Sequence, residues 1–268
     1  MKKGLLYVTT LMTLGVMAVS VNPMTSLAEH SITGGGHIGF EGEDNGREGI
    51  QDPENPSNIV DPGSSPSTTG KLRIDFVPKL NFSLNKISKE NAKYPVNAQL
   101  FHDATGARGN FVQVTDSRDS AYGWQLQLRQ ETQFQNPDTA NSQLNGAVLS
   151  FDISWANSTE DKSLAPLVSK EVIQLNNIGE TYNLANANSG KGNGTWSISF
   201  GASADNPMGL ENTLNPKLNA AGEPMLDSNY ENKQIHENSA IKLAVPGSTE
   251  KDPVPYSTVL TWVLAELP

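Results

Sequence analysis

Apolar and polar side chains alternate in several short stretches of this sequence, and the clearest stretch covers residues 124–129. Its apolar members are Trp124, Leu126 and Leu128, and the polar members between them include Gln125 and Arg129. Successive side chains of a β-strand point to opposite faces, whereas a helix repeats its apolar residues every three or four positions. The spacing therefore predicts a strand with one buried face, and it favours a chain that is built from strands.

Similar stretches are spread over the rest of the sequence. The predicted strands are 71–76, 111–115, 124–129, 147–155, 195–200, 241–245 and 256–264. Turn-rich segments such as 186–194 separate them, and residues 160–175 are the place where a short helix is expected. Many short strands with Gly, Asn and Pro between them indicate a sandwich or a barrel. We predict an all-β fold, a single β-sandwich of the Greek-key or immunoglobulin-like kind.

The sequence contains no cysteine. This excludes disulfides, thiolate metal sites, a cysteine nucleophile and lipid attachment through an N-terminal cysteine. A domain of this kind has to obtain its stability from core packing.

The net charge of the chain is −10 at pH 7. An acidic surface repels phosphate backbones, which argues against nucleic acid as a partner. It equally disfavours simple electrostatic capture by anionic lipids or by polyanions of a cell wall.

The first 28 residues have the three parts of a secretory signal peptide. Lys2 and Lys3 form a positive start, residues 5–19 are predominantly apolar, and the segment ends in a small-x-small pattern at Ala28. The apolar run is shorter than a comfortable membrane span. We predict secretion with cleavage after Ala28, and no transmembrane segment in the mature chain. The sequence shows no LPxTG-like motif, so any retention at the cell surface is expected to be non-covalent.

Residues 29–70 differ in composition from the rest of the chain. Between Glu41 and Gly70 there are seven acidic residues and a single basic one, Arg47, and four prolines interrupt the segment. Such a segment is expected to bury too little apolar area to offset its conformational entropy. We predict a disordered acidic linker that is rich in Pro, Gly and Ser and ends at Gly70.

Two Trp-x-Leu triplets stand far apart in the chain. The first, Trp124 to Leu126, follows Val-Thr-Asp-Ser-Arg at 114–118, and the second, Trp262 to Leu264, lies near the C-terminus. A Gly-Ala-x-Leu strand at 146–149 and a glycine-rich hairpin before Trp196 accompany them. Together these motifs resemble the WxL domain of cell-surface proteins from low-GC Gram-positive bacteria. The resemblance covers residues 71–268.

The resemblance implies non-covalent attachment to the cell wall, with peptidoglycan as the usual ligand. It also implies possible partnership with other surface proteins of the same complex. No catalytic activity and no cofactor is associated with such domains. The localisation expected on this basis is the cell wall or cell surface of a secreted protein.

The role of the two triplets is open at the level of sequence. In one interpretation Trp124, Leu126, Trp262 and Leu264 all belong to the core, with two distant strands lying side by side and their indoles turned inward. In the other interpretation the indole faces stack on glycan rings, and a mixed arrangement is also conceivable. On the opposite face, Gln125 and Arg129 are candidate contacts to solvent or ligand.

Two charged residues before the first triplet, Asp116 and Arg118, are expected to form an ion pair that orders their loop. Wall or partner binding is not expected to involve them directly.

The sequence offers no recognisable catalytic or metal-binding motif. Its four histidines are isolated, and a Gly-x-Ser-x-Gly elbow is missing. We therefore predict no enzyme, no metal and no cofactor. Three functions remain under consideration, in this order: a wall-binding module, a protein-interaction subunit that docks on a membrane-anchored partner, and a glycan-cleaving enzyme with a carboxylate pair that only the fold could reveal.

Overall fold

The computed structural model describes residues 30–34, 49–119 and 122–267, with the backbone alone for 30–34. In chain order the first nine strands are β1 (His30–Gly34), β2 (Ile50–Gln51), β3 (Ile59–Val60), β4 (Leu72–Phe76), β5 (Ala92–Asn97), β6 (Asn110–Asp116), β7 (Trp124–Gln130), β8 (Val148–Phe151) and β9 (Ser154–Asn157). The next nine are β10 (Leu167–Val168), β11 (Ile173–Leu175), β12 (Thr181–Ala187), β13 (Gly194–Phe200), β14 (Leu214–Pro216), β15 (Leu226–Asp227), β16 (Lys233–Gln234), β17 (His236–Val245) and β18 (Leu260–Glu266). Two short 3-10 helices, η1 (Lys162–Leu164) and η2 (Ser228–Tyr230), complete the described elements.

Three antiparallel sheets make up the body of the domain. The motif sheet has the strand order β1-β18-β7-β12-β10. The long-strand sheet has the order β11-β8-β17-β14, with β5 also paired to β17, and the covered sheet has the order β4-β6-β13-β9. The hairpins β2-β3 and β15-β16 lie outside these sheets. The predicted all-β class is confirmed.

One hydrophobic cluster receives side chains from all three sheets. Trp124 of the motif sheet, Leu149 of the long-strand sheet and Trp196 of the covered sheet belong to it. Phe151 and Phe200 join the latter two sheets through an edge-to-face ring contact with centroids 5.0 Å apart. The sheets thus share one core, consistent with a β-sandwich, and this packing takes the place of disulfides.

The stretch predicted as one strand at 147–155 forms two strands in different sheets. Strand β8 belongs to the long-strand sheet and β9 to the covered sheet. Between them Ile153 adopts φ of 48°, a left-handed conformation that is rare for a β-branched residue. The chain turns sharply there and carries its apolar residues from one sheet to the next.

Two other predicted elements have different bounds. The last strand begins at Leu260 rather than at Tyr256, so the residues before it do not continue its face. Residues 160–175 contain only the three-residue η1 as helix, followed by β10 and β11. In such short polar segments, pairing with a neighbouring strand decides whether the chain forms helix or strand.

Residues 49–70 are ordered, which corrects the prediction of a disordered linker up to Gly70. We call residues 49–61 the covering segment, because they contain the hairpin β2-β3 and contact the covered sheet and the loops beside it. Val60 is buried in a second apolar cluster with Phe76, Phe101 and Phe111. The Gln113 side chain of β6 accepts a 2.8 Å hydrogen bond from the backbone N–H of Gln51.

The physical reason for this error lies in the acidic residues of the covering segment. Asp52 and Glu54 are buried, and Arg108 donates to both oxygens of Asp52 at 2.9 and 3.0 Å. Glu54 accepts from the backbone N–H of Ser203 at 2.7 Å. Carboxylates with such partners can be buried, so acidic composition alone did not indicate disorder here.

Most of the predicted signal peptide and linker lies outside the described residues. This holds for residues 1–28 and, within the linker, for Glu29 and 35–48. The backbone of β1 pairs antiparallel with β18 at the edge of the motif sheet. Among the described residues, none forms a helix that is long and apolar enough to cross a membrane.

Candidate functional site

The two Trp-x-Leu triplets lie side by side on neighbouring antiparallel strands. Strands β7 and β18 pair so that Leu126 stands opposite Leu264 and Trp262 stands opposite Leu128. Trp124 stands opposite Glu266 at the other end of the register. The predicted adjacency of two strands separated by more than a hundred residues is therefore confirmed.

All four apolar side chains of the triplets point into the core. Trp124, Leu126 and Leu264 are 0% exposed and Trp262 is 1% exposed. The inward orientation of the indoles is confirmed as well. Rings buried to this extent present no free face on which a sugar ring could stack, so the geometry favours the structural interpretation of the triplets over the platform interpretation.

Trp124 is held by the glycine-rich hairpin that precedes β13. Its Nε1–H donates to the carbonyl oxygen of Gly192 at 3.0 Å. Gly192 has φ of +74°, and a Cβ atom there would lie 2.5 Å from Nε1 of Trp124 and 2.5 Å from Cβ of Ala187. The hairpin therefore approaches the indole so closely that only glycine fits.

Strand β12 is the other neighbour of β7, and the sequence analysis missed it. Ala187 pairs with Trp124 and Ala185 pairs with Leu126, with a register shift between Asn183 and Ala185. The bulge interrupts the alternation of apolar residues along 181–187, which is the pattern by which the other strands were found. The feature of the sequence that could still have indicated strand β12 is its position just before the turn-rich segment.

Arg118 connects the loop before β7 to the end of β18. Its guanidinium pairs with Asp116 at 2.8 Å and with Glu266, and it donates to the carbonyl oxygen of Gly123 at 3.0 Å. The hydrogen bonds that Arg118 donates to Asp116 raise the pKa of Arg118 above its ordinary value, against a smaller lowering by burial, and the charge of Glu266 adds to the rise. The predicted ion pair between Asp116 and Arg118 is present, and it joins the ends of both triplet strands.

The outer face of the motif sheet carries the two predicted contact residues. Gln125 and Arg129 are half-buried and alternate with the core residues of β7. Arg129 donates from Nε to Glu131 at 2.8 Å, and Thr261 of β18 donates to the same carboxylate. Hydrogen bonds from Arg129 and Thr261 lower the pKa of Glu131. Amide and guanidinium groups on this face can hydrogen-bond a ligand.

His102 and His236 are the histidines whose side chains the structure describes, and neither belongs to a triplet strand. His102 pairs with Glu231 at 2.9 Å, and Nδ1 of His236 is 3.1 Å from the backbone oxygen of Gln234. Within 30–34, 49–119 and 122–267, no three His, Cys, Asp or Glu side chains are grouped so that they could hold a metal ion.

The chain matches the family model described as WxL domain, surface cell wall-binding, over residues 28–268. Neither the curated proteins nor the solved structures include a significant match to this chain.

Proposed function

Since the chain belongs to the WxL domain family of surface cell wall-binding proteins, we propose that it is exported and attaches non-covalently to peptidoglycan through this domain. The family assignment makes it a wall-binding protein of the cell surface. Peptidoglycan as the ligand, a Gram-positive host and export through cleavage after Ala28 are the parts that we propose.

The observation that carries this proposal is the extent of the match. It runs from residue 28 to residue 268 and includes the three sheets, the covering segment and both triplets. Whatever in this chain contacts the wall therefore belongs to the WxL domain itself. The net charge of −10 makes attraction to wall polyanions a poor alternative, because like charges repel.

Within this proposal the triplets act as structural elements. Burial of a Trp side chain removes about 150–250 Å² from water. At about 25 cal/mol per Å² this corresponds to several kcal/mol before entropy is subtracted. The triplets join β7 to β18 and so maintain the surface that meets the wall, without contacting the wall directly.

A second function, docking on a membrane-anchored partner, was expected to use the Trp-Leu face. That face is buried in the core, which leaves the second function without the contact surface proposed for it. A partner would have to bind elsewhere, for example on the outer face near Gln125 and Arg129. Glycan cleavage ranks third, because no feature of the described residues favours it.

The proposal is tested by sedimentation with isolated sacculi. The chain from Glu29 onward is mixed with peptidoglycan that has been stripped of protein and of teichoic acid. We expect it to sediment with the bare sacculi at both low and high salt. If it sediments only when membrane proteins are added, the docking function replaces our proposal, and release of soluble muropeptides establishes cleavage instead.

Four variants separate the roles of the triplets and of the outer face. Trp124→Ala and Trp262→Ala are expected to lower the melting temperature and the retention on sacculi together. Gln125→Ala and Arg129→Ala change the outer face and leave the core intact, so we expect an unchanged melting temperature. A Trp variant that melts like the unmodified chain but no longer binds would show that the indoles contact the wall.

A further inference from the structure

A cleft lies between the covering segment and the covered sheet, away from the triplets. Its volume is about 620 Å³, within the ~300–1,000 Å³ typical of small-molecule sites. Strands β4, β6 and β13 contribute to its wall, and its lining residues include Gln51, Ser64, Arg73, Asp75, Thr115 and Thr195. We call it the strand cleft.

The polar side chains along its wall are held in place by hydrogen bonds to one another. Asp75 accepts from Nε of Arg73 at 2.7 Å and from the hydroxyl of Thr115 at 2.5 Å. The hydroxyls of Thr115 and Thr195 are 2.8 Å apart, and Gln113 donates to Asp75 at 3.2 Å. Groups held in this way lose little conformational entropy when a ligand binds, so the wall is preorganised.

One buried acceptor of the strand cleft has no partner. Gln51 is 6% exposed, and its Oε1 makes no hydrogen bond within the described part of the chain. A buried polar atom left in this state costs free energy, and a donor that reaches it recovers the cost. A ligand that carries hydroxyl or amide N–H groups would supply such a donor.

The charges around the cleft determine which ligands it can accept. The cation of Arg73 is paired with Asp75, and Asp116, a buried lining residue, is paired with Arg118. Glu160, an exposed lining residue, adds a further negative charge. Asp75 balances the positive charge of Arg73, and the carboxylate of Glu160 has no such partner in the cleft lining. The cleft is therefore expected to repel phosphate groups.

The same cleft has an apolar part. Ile50 and Phe76 are among its lining residues, so it combines two apolar side chains with hydroxyl, amide and guanidinium groups. Sugar rings have this dual character, with C–H faces and a rim of hydroxyls. Pockets for small ligands likewise combine apolar walls with a few fixed polar groups.

We infer that the strand cleft is a binding site for an uncharged segment of a glycan chain. The inference rests on the proposed function, because it assigns the wall contact to a particular place on the domain. It also goes beyond that function, since it places the contact on the covered sheet rather than at the triplets and predicts a preference for neutral sugar over phosphate-bearing polymer.

The test uses a β-1,4-linked tetramer of N-acetylglucosamine as a neutral probe and glycerol phosphate as an anionic one. Binding of each to the chain from Glu29 onward is measured by calorimetry, and the contact residues are located by amide chemical shifts in NMR spectra. We expect the tetramer to bind with shifts around Gln51, Thr115 and Thr195, and glycerol phosphate not to bind. Shifts confined to the outer face of the motif sheet, or binding of glycerol phosphate alone, would overturn the inference.

Two variants probe the cleft directly. Gln51→Met removes the unpartnered oxygen and keeps the length of the side chain, and we expect tetramer affinity to fall about 3- to 10-fold, the equivalent of one hydrogen bond. Ser64 is exposed at the rim, and Ser64→Tyr is expected to occlude the cleft and reduce affinity more than about 10-fold. Ala220→Tyr, which adds the same ring at an exposed position outside the cleft lining, serves as the matched control and should bind normally.

Retention on sacculi separates this inference from the proposed function. If the unmodified chain sediments with sacculi and Ser64→Tyr does so equally well at an unchanged melting temperature, the strand cleft is not the site although wall binding stands. If the unmodified chain fails to sediment with sacculi, the proposed function fails, and tetramer binding still decides whether the cleft accepts a neutral saccharide.

Discussion

Leu126 and Leu264 face each other directly across the pairing of β7 with β18, and both are fully buried. The two triplets therefore run in opposite directions with their leucines in register, and the two indoles lie on either side of that leucine pair. One contact in the core thus links residues that are 138 positions apart in the sequence.

Coupling between these two leucines is the first prediction. Leu126→Ala and Leu264→Ala are each expected to lower the free energy of unfolding by about 2–5 kcal/mol, because each leaves a cavity in the core. The double variant should deviate from the sum of the two effects by about 0.5–3 kcal/mol, since the side chains are neighbours. Urea unfolding of the four proteins measures this interaction energy.

A control pair uses a residue from a different cluster. Val245 belongs to the apolar cluster around Phe134, which is separate from the main core. Leu126→Ala combined with Val245→Ala should be additive within about 0.5 kcal/mol. Strict additivity for the leucine pair as well would show that the register of β7 and β18 is not as described.

The second prediction concerns two glycines of one hairpin. Gly190 and Gly192 both have positive φ, of 81° and 74°. A Cβ at Gly190 meets nothing within 4 Å, whereas one at Gly192 collides with Trp124 and Ala187. We expect Gly190→Ala to lower the free energy of unfolding by about 1–2 kcal/mol through backbone strain. Gly192→Ala should lower it further, because the indole of Trp124 has to be displaced as well.

The measurement for this pair is thermal unfolding combined with the fluorescence of the tryptophans. Only Gly192→Ala should shift the emission, because only this change disturbs the surroundings of a buried indole. Equal melting temperatures for the two variants would contradict the close packing of the hairpin on Trp124.

The third prediction concerns the attachment of the covering segment. Arg108 pairs with Asp52 at 2.9 Å and lies 3.5 Å from Glu54, and both carboxylates are buried. Burial lowers the pKa of Arg108, but the hydrogen bond to Asp52 and the charges of Asp52 and Glu54 outweigh this and raise it. Arg108→Met leaves two buried carboxylates without their cation. We therefore expect the free energy of unfolding to fall by about 3–5 kcal/mol.

Lys71→Met provides the comparison for an exposed ion pair. Lys71 pairs with Asp119 at 2.8 Å, and both side chains are largely exposed. Because water screens an exposed pair, its loss is expected to leave the free energy of unfolding nearly unchanged. Hydrogen exchange should in addition show faster exchange of the Gln51 amide in Arg108→Met but not in Lys71→Met; equal exchange in the two variants would exclude Arg108 as the anchor of the covering segment.

The fourth prediction concerns pH. The hydrogen bond to Glu231 raises the pKa of His102, burial lowers it by less, and the charges of Asp61 and Lys233 act in opposite directions. A pKa raised in the folded state means that this pair stabilises the fold fully below the pKa of unfolded histidine. That contribution is lost as the pH rises through the raised value.

An NMR titration of His102 measures this shift. We expect its pKa above about 6.5 in the unmodified chain and closer to that value in Glu231→Gln. Glu223→Gln, which alters an exposed carboxylate bonded to Asn219, should leave the pKa of His102 unchanged. If both variants titrate like the unmodified chain, Glu231 is not the partner of His102 in solution.

Much of the fold could be predicted from local patterns. The strands around Leu72, Trp124 and Trp196 were found because their apolar residues recur at every second position, as an apolar strand face requires. The pairing of the two triplets was also expected, since two Trp-Leu strands need a shared core to bury them. Strand β12 and the break at Ile153 were not predictable, because a bulge and a positive φ interrupt the pattern without leaving a distinctive residue.

The candidate site was less predictable than the fold. Gln125 and Arg129 were identified as outward-facing, and the structure places them on the exposed face of β7. The strand cleft escaped prediction because Gln51 and Thr195 are 144 positions apart, and Gln51 lay in a segment whose composition indicated disorder. That segment packs because Arg108 and Ser203 bind its carboxylates and Val60 enters an apolar cluster.

The sequence by itself determined the all-β class, the inward face of β7 and β18 and the relation to wall-binding domains, because periodicity and short motifs act over a few neighbouring residues. The tertiary structure decided where the buried charges find their partners, which strand lies beside which, and how residues 49–61 form one wall of a cleft. These features depend on contacts between distant residues, and the free energy of burying an acidic side chain is set by the partner it meets in the folded chain.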